Sequence, residues 1–403
     1  MARFCHRAAV LASTSAALIL GLVATPAAAG PTSGHASPGV ALFWQRIAQE
    51  TVFPTTPVPA GPLYLAFTSL AVDEAVRTAS KQRPASPAAA AAVAAHDVLV
   101  AYFPASVTAL DAHLTTSLAA VPDGAAEEGG ATIGRAAAAK MIASRVDDGR
   151  NAPIVYSRAP APGVWQPGPT GMAVPWLGFV KPLVVEEAVS VDGPDPISSA
   201  AYAADFDEVK RFGSVASTER TDNQTTTARF FSDNPVLQLR SALLGRLDKD
   251  PLSLAQTTRL FATLDAATAD ALIQGWRLKY DVGFWRPFQA IPAADTDGND
   301  ATTADAAWKP LLGTTPAYPD YVSGHACVVS AFTATVGPVL GDRVALDIKS
   351  AVTNSERTYR SLQALESDAF MARIWLGIHF RDAMEDGYGL GHVIGARVRS
   401  ELA

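Results

Sequence analysis

The sequence predicts an all-α protein made of helical bundles. Three observations predict it. Apolar residues recur at three- and four-residue spacing over long stretches, helix caps stand where those stretches begin, and alternation at strand period is scarce.

The first thirty residues are read separately from that core. Arg3, His6 and Arg7 precede an apolar run from Ala8 to about Ala24, and Ala27-Ala28-Ala29 offers a small-residue cleavage site before Gly30. That order predicts a secretory signal peptide over 1–29, not a membrane anchor, and a secreted or extracytoplasmic protein. Its removal takes Cys5 and leaves Cys327 alone, so the exported chain cannot form an intramolecular disulfide. Stability must come from burial, which 403 residues with a 49% hydrophobic fraction can supply. The formal net charge is −7, and losing Arg3 and Arg7 with no acid takes it to about −9. An acidic exported chain is a poor binder of nucleic acid, which excludes that class of partner. The longest later apolar window, Ala326 to Leu340, is too short to span a bilayer and is interrupted by Ser330, Thr333, Thr335 and Pro338.

Ser86-Pro87 reads as an N-cap followed by proline at the first helical position, opening an alanine-rich helix to about Phe103. Val107 to Ala119 and Ala131 to Val146 carry the helical period, and Asp148-Gly149 closes the second. From Arg150 to about Pro196 the character changes. Seven prolines from Pro153 to Pro182 surround Trp165 and Trp176, too many for a helix and too aromatic a setting for a flexible linker. This stretch is predicted to be an ordered connection across the surface between two helical halves. Ser253 with Gln256 three positions on predicts a capping box, and Leu260, Phe261, Leu264, Ala267, Leu272 and Trp276 follow on one helical period. The expected organisation is a signal peptide at 1–29, a helical half at 30–149, a Pro/Trp-rich connection at 150–196 and a second half at 197–403. Residues 30–403 are expected to act as one integrated unit.

Three segments carry candidate chemistry. In the first, Lys279 and Arg286 flank a helix end set by Pro287, which disfavours α geometry at Arg286. Two cations there either bind an anion or serve the helix's own terminal carbonyls. In the second, Ser323 stands at an N-cap and Gly324 allows close approach, so free N–H groups offer an anion site with His325 at its edge. His325 can move protons near neutral pH. The third supplies Arg373 and His379, six residues apart and so about 240° around a regular helix. Bringing them together requires the arginine's length or irregular backbone near Gly377.

Lys279-x6-Arg286-Pro287, Ser323-Gly324-His325 and Arg373-x5-His379, in this order, resemble the signature of the vanadium-dependent haloperoxidases and type 2 phosphatidic acid phosphatases. The His96-Asp97 segment and the Pro-Gly-Val-Trp loop at 162–165 are similar to bacterial secreted members. The resemblance implies an oxyanion site, phosphate or vanadate, in the core of the C-terminal bundle. Lys279, Arg286 and Arg373 would neutralise its oxygens, with Ser323 and the Gly324 N–H adding hydrogen bonds. His379 would bond the central atom and His325 would act as acid or base. Two positions depart from the pattern. Val322 stands where proline is frequent, and Ala383 stands where an aspartate orients the ring of His379. Asp382, about 60° away on a helix, is expected to take over as orienter, since Asp386 lies about 10 Å further along the axis.

The implied activity is a vanadium-dependent haloperoxidase that oxidises halide with hydrogen peroxide, with vanadate as cofactor. The alternative is a secreted acid phosphatase that works through a phosphohistidine at His379 and needs no vanadate. A non-catalytic oxyanion binder is the second alternative, and Ala383 is its sole support. The expected partners are small molecules (halide and peroxide, or a phosphate ester), with no nucleic acid, no membrane span and homo-oligomerisation open. His96, His113 and His392 read as packed or surface residues, and the Asp295–Asp300 run as a solvated turn, since Gly298 and Ala306 break the calcium-loop pattern. Phe284, Trp285 and Trp375 read as core. Cys327 and His325, two apart on a helix, diverge and form no nucleophilic pair.

Overall fold

The computed structural model describes residues 37–403. The predicted signal peptide at 1–29, with Cys5, lies outside the described residues. The chain is all-α apart from one small hairpin. Helices α1 (Ser37–Val52), α2 (Gly61–Ala79), α3 (Pro87–Tyr102), α4 (Val107–Leu118) and α5 (Ala125–Ser144) come first. After the proline-rich stretch follow α6 (Ala200–Gly213), α7 (Asp222–Phe230), α8 (Pro235–Lys249), α9 (Leu254–Val282) and the single turn α10 (Pro287–Ala290). Helix α11 (Gly324–Leu340), strands β1 (Leu346–Ser350) and β2 (Ser355–Tyr359), α12 (Leu362–Trp375) and α13 (Arg381–Glu401) complete the order.

The caps act where the sequence places them. Ser86 Oγ accepts the N–H of Ala89 with Pro87 in the first turn, and Ser253 and Gln256 form the reciprocal capping box. Helix α5 starts upstream of the predicted Ala131. Gly129-Gly130 looks like a break, but α5 packs on α3 so closely that a Cβ at Gly134 would stand 2.6 Å from the Ala90 carbonyl oxygen. Tertiary packing overrides the low helix propensity of glycine there. The hairpin escaped prediction because β1 buries only Leu346, Ile348 and Ser350 and β2 is mostly exposed, too short a pattern to separate from a loop.

Helix α9 is the axis on which the site depends. It is buried along most of its length and contacts α1, α2, α11 and α13. The 150–196 stretch lies along α9. Asp270 of α9 accepts the N–H groups of Leu183, Val184 and Val185 at 2.7, 2.9 and 2.8 Å. Gln274, one turn on, accepts from Val189 N and donates to the Val185 and Glu187 carbonyls. A chain without regular structure must satisfy its backbone somehow, and two buried side chains of α9 do it here. The 162–165 loop then braces the segment leading to Arg286, with Trp165 N donating to Gly283 O (2.8 Å) and Trp285 N to Gly163 O (3.0 Å). Among the described residues no helix is long and apolar enough to cross a membrane.

Candidate active site

Lys279 sits in the last turn of α9, which ends at Val282 on a left-handed Gly283. Its Nζ donates to the carbonyls of Pro319 and Asp320, both at 3.0 Å, and to that of Val322. Arg286, at the N-cap of α10, donates from Nε to Tyr318 O (2.7 Å), from Nη1 to Ile378 O (2.6 Å) and from Nη2 to Pro319 O (3.5 Å). Two cations thus wind the 318–322 turn into place ahead of α11. Ser323 caps α11 through Ala326 N, so the first N–H groups of a 17-residue helix point out beside His325.

Arg373 occupies the last turn of α12, where Nη1 donates to Phe231 O (3.2 Å) and Nε has no partner. The six-residue separation from His379 is resolved by the backbone. Helix α12 stops at Trp375, Gly377 turns at φ +74°, and His379 lies in an extended stretch before α13. A Cβ at Gly377 would press on the Gly213 carbonyl and on Trp308 (3.0 Å), so this turn requires glycine.

The structure therefore brings Lys279, Arg286, Ser323, Gly324, His325, Arg373 and His379 into one buried region. Lys279, Arg286 and Ser323 are 0% exposed, His379 1%, and His325 and Arg373 7%. A cavity of about 200 Å³ opens onto His325, Gly324 and Arg373, with Tyr318, Trp276 and Leu272 among its walls. Phe284 and Trp285 are buried in the core and do not line it.

One expected residue is not there. Asp382 opens α13, and its Oδ2 accepts the Asp195 N–H (3.1 Å) while its own N–H donates to Asp205. The expectation placed His379 and Asp382 on one helix, but His379 precedes α13 and the helical offset does not apply. The carboxylate at His379 is Asp320, whose Oδ1 stands 2.8 Å from Nδ1. The contact is close but not in line for a regular hydrogen bond, and neither atom has another hydrogen-bond partner. Arg286 Nη1 lies 3.9 Å from the same oxygen, and Phe380 N donates weakly to Oδ2 (3.4 Å). Asp320 lies inside the second sequence segment, and the signal that marks it is plain in retrospect. It is the one carboxylate within a motif that gathers cations.

Burial governs the protonation states. It pushes both His325 and His379 well below the usual imidazole range, helped by Arg373 at His325 and by Arg286 and Lys279 at His379. Both rings are therefore neutral near pH 7. Burial also pushes Lys279 well down, with Arg286 adding to it. Its surroundings demand the ammonium form nonetheless, because three carbonyl acceptors need three N–H donors and a neutral amine has two. Burial raises the Asp320 carboxyl to about 7, against the pull of Arg286 and Lys279. Three formal cations thus surround one formal carboxylate, a buried excess of positive charge that an anion would relieve.

Residues 259–402, which include all three sequence segments, match the family model described as the VCPO second helical-bundle domain. The structure superposes on that of a bacterial vanadium-dependent iodoperoxidase with a TM-score of 0.75 at 20% identity, covering 91% of this chain and 97% of the other. This is the fold of the vanadium haloperoxidase superfamily. A bacterial vanadium-dependent chloroperoxidase matches with a TM-score of 0.66 at 15% identity, over 86% of this chain and 93% of the other. No curated protein matches the chain. The superfamily read from the three motifs is the one the structure matches. Both of those structures are of vanadium-dependent enzymes, and the residues present in this chain fit a tetrahedral oxyanion. Arg373 Nε and His325 Nε2 are buried without partners, the Ser323 hydroxyl can donate, and the cationic excess calls for negative charge. The fit assigns Lys279 a different part from the arginines. It contributes charge, while its three N–H bonds hold the 318–322 turn.

Proposed function

We propose that the chain is a vanadium-dependent haloperoxidase that oxidises a halide with hydrogen peroxide. The buried surplus of cations around two neutral histidines carries this reading, because it suits a resident oxyanion. The full-length likeness to an iodoperoxidase and a chloroperoxidase supports haloperoxidase over the other activities. Vanadate, when bound, supplies the Lewis-acidic centre that activates hydrogen peroxide toward halide. His379 would hold it through Nε2, since Nδ1 faces Asp320. Arg286 and Arg373 would offer it their remaining N–H groups, with the Ser323 hydroxyl and the first N–H groups of α11. His325, neutral and with Nε2 unpartnered, accepts a proton from the incoming peroxide. The cavity beside the acceptor nitrogen has an apolar side, with Leu272, Trp276 and Val328, and a polar side, with Asp233 and Asn234.

The same neutral His379 favours a second reading as an acid phosphatase, because an uncharged imidazole nitrogen is nucleophilic. There His379 attacks phosphorus as the bond to the alcohol oxygen breaks, His325 gives that oxygen its proton only at a pH acid enough to protonate the ring, and the cavity receives the alcohol. Peroxide-dependent bromination and iodination with added vanadate, run against hydrolysis of a chromogenic phosphate ester without it, separate the two. Halide oxidation is expected. Vanadate-inhibited hydrolysis without any halogenation overturns the haloperoxidase reading, and vanadate binding with neither activity leaves a non-catalytic oxyanion binder. We further propose export directed by residues 1–29. N-terminal sequencing of the protein from the culture medium should begin at Gly30.

A further inference from the structure

We infer that Asp320 is the positioning residue of His379, holding the proton on Nδ1 so that Nε2 stays bare. The inference rests on the reading of His379 as the oxyanion's ligand only for its consequence, not for its geometry.

Asp320 and His379 are 0% and 1% exposed, and Oδ1 and Nδ1 stand 2.8 Å apart with no other hydrogen-bond partner. Burial raises the Asp320 carboxyl to about 7, while Arg286, 3.9 Å from the same oxygen, pulls it toward the ionised form. An ionised carboxylate can only accept, so with Asp320 ionised the imidazole nitrogen that faces it carries the hydrogen. A neutral ring has one N–H, so a proton fixed on Nδ1 leaves the lone pair on Nε2 for an oxyanion's central atom. The site's own cations keep the turn that carries Asp320 in place, because Lys279 donates to the Asp320 carbonyl and Arg286 to those of Tyr318 and Pro319.

Position 383 explains why the carboxylate stands at 320. Ala383 is buried, and its carbonyl accepts the Ser323 N–H at 2.8 Å, so the start of α13 abuts the 320–323 turn. Asp320, Asp382 and Ala383 line one small cavity, about 10 Å³, together with Tyr202. That volume holds a single water at most. Its wall already carries Asp195, Asp205 and Asp382 besides Asp320, so a further carboxylate at position 383 would find no space and would repel them. One aspartate serves the ring, and in this chain it comes from the turn before α11. The small alanine is the complement of Asp320, which removes the argument for a non-catalytic protein that Ala383 alone supplied.

The test reads the tautomer of His379 by long-range ¹H–¹⁵N correlation on the purified protein, with a His379→Gln sample to assign the ring. Wild type is expected to show the Nδ1–H form. Asp320→Ala is expected to move the ring toward Nε2–H, and Asp320→Ala/Ala383→Asp to move it back. Orthovanadate binding, measured by calorimetry, should weaken at least tenfold in Asp320→Ala and recover in the double variant. A wild-type ring protonated at Nε2, or an Asp320→Ala ring unchanged at Nδ1, overturns the inference. The wild-type spectrum decides this even where a variant does not fold. If the tautomer responds as stated but wild type binds no vanadate, the positioning stands and the proposed function fails. If vanadate binds and the tautomer ignores Asp320, the reverse holds.

Discussion

Nζ of Lys279 lies 3.0 Å from the carbonyl oxygen of Pro319, the first of three backbone acceptors that its ammonium group satisfies. A cation that reads in sequence as an oxyanion ligand is in the fold the clasp of the turn that carries Asp320 and leads into Ser323. Lys279→Met should therefore cost stability as well as anion affinity. Three buried carbonyls lose their charged donor, and a loss of roughly 3–5 kcal/mol is expected in urea unfolding. An unchanged unfolding midpoint with weakened vanadate binding would show that Lys279 acts on the anion alone.

Gly377 should tolerate no side chain. Its φ of +74° and the crowding by Gly213 and Trp308 predict a loss of at least about 2 kcal/mol for Gly377→Ala, along with weaker vanadate binding as Arg373 and His379 separate. Gly389→Ala, exposed in the middle of α13 with nothing within 4 Å of its Cβ, is the control. It should be neutral or stabilise by about 0.5–1 kcal/mol. Equal thermal shifts in the two variants would contradict the assignment of the turn.

Ser323 has two tasks that substitution can separate. Ser323→Ala removes the N-cap of α11, for about 1 kcal/mol of stability, and the hydroxyl proposed to bind the oxyanion. Vanadate affinity should drop about five- to tenfold, the worth of one hydrogen bond. Asn at this position retains a capping oxygen but not the hydroxyl. Ser323→Asn should therefore recover melting temperature without recovering affinity, and recovery of both would assign the affinity loss to the cap.

His96 joins α3 to α4 through Nδ1 to Asp97 (2.8 Å) and Nε2 to Asp111 (2.9 Å). The Asp97 contact, above all, raises its pKa above the usual imidazole value of 6.5. A raised folded-state pKa stabilises fully below 6.5, and the contribution is lost as pH rises through the folded value. The melting-temperature advantage of wild type over His96→Phe should therefore shrink between pH 6 and pH 8. Asp111 is exposed and Asp97 partly so, which screens the pairs, and the change is expected to stay within about 2 °C. An advantage that grows with pH would reverse the assignment.

Local sequence determined much of this protein. Caps at Ser86, Ser253 and Ser323 are written within three residues of where they act, because a helix start needs only a nearby side chain to satisfy its free N–H groups, whereas α9 stops on the left-handed Gly283 and Pro287 opens the next turn instead of ending it. The order of Lys279, Arg286, Ser323, His325, Arg373 and His379 likewise points to an anion-binding chemistry before the fold is known. Tertiary structure decided the rest. Which carboxylate meets His379 depended on where α12 stopped, on the turn at Gly377, and on the space that Ala383 leaves beside the 320–323 turn. A helical offset from His379 pointed to Asp382, but the ring does not sit on that helix. Lys279 offered only its charge to a sequence reading, while the three carbonyls that claim its N–H groups lie 40 or more residues further along the chain. Periodicity reports on neighbours along one element. Contacts that close between α9, the 318–322 turn and the start of α13 are set by packing, which spacing does not encode.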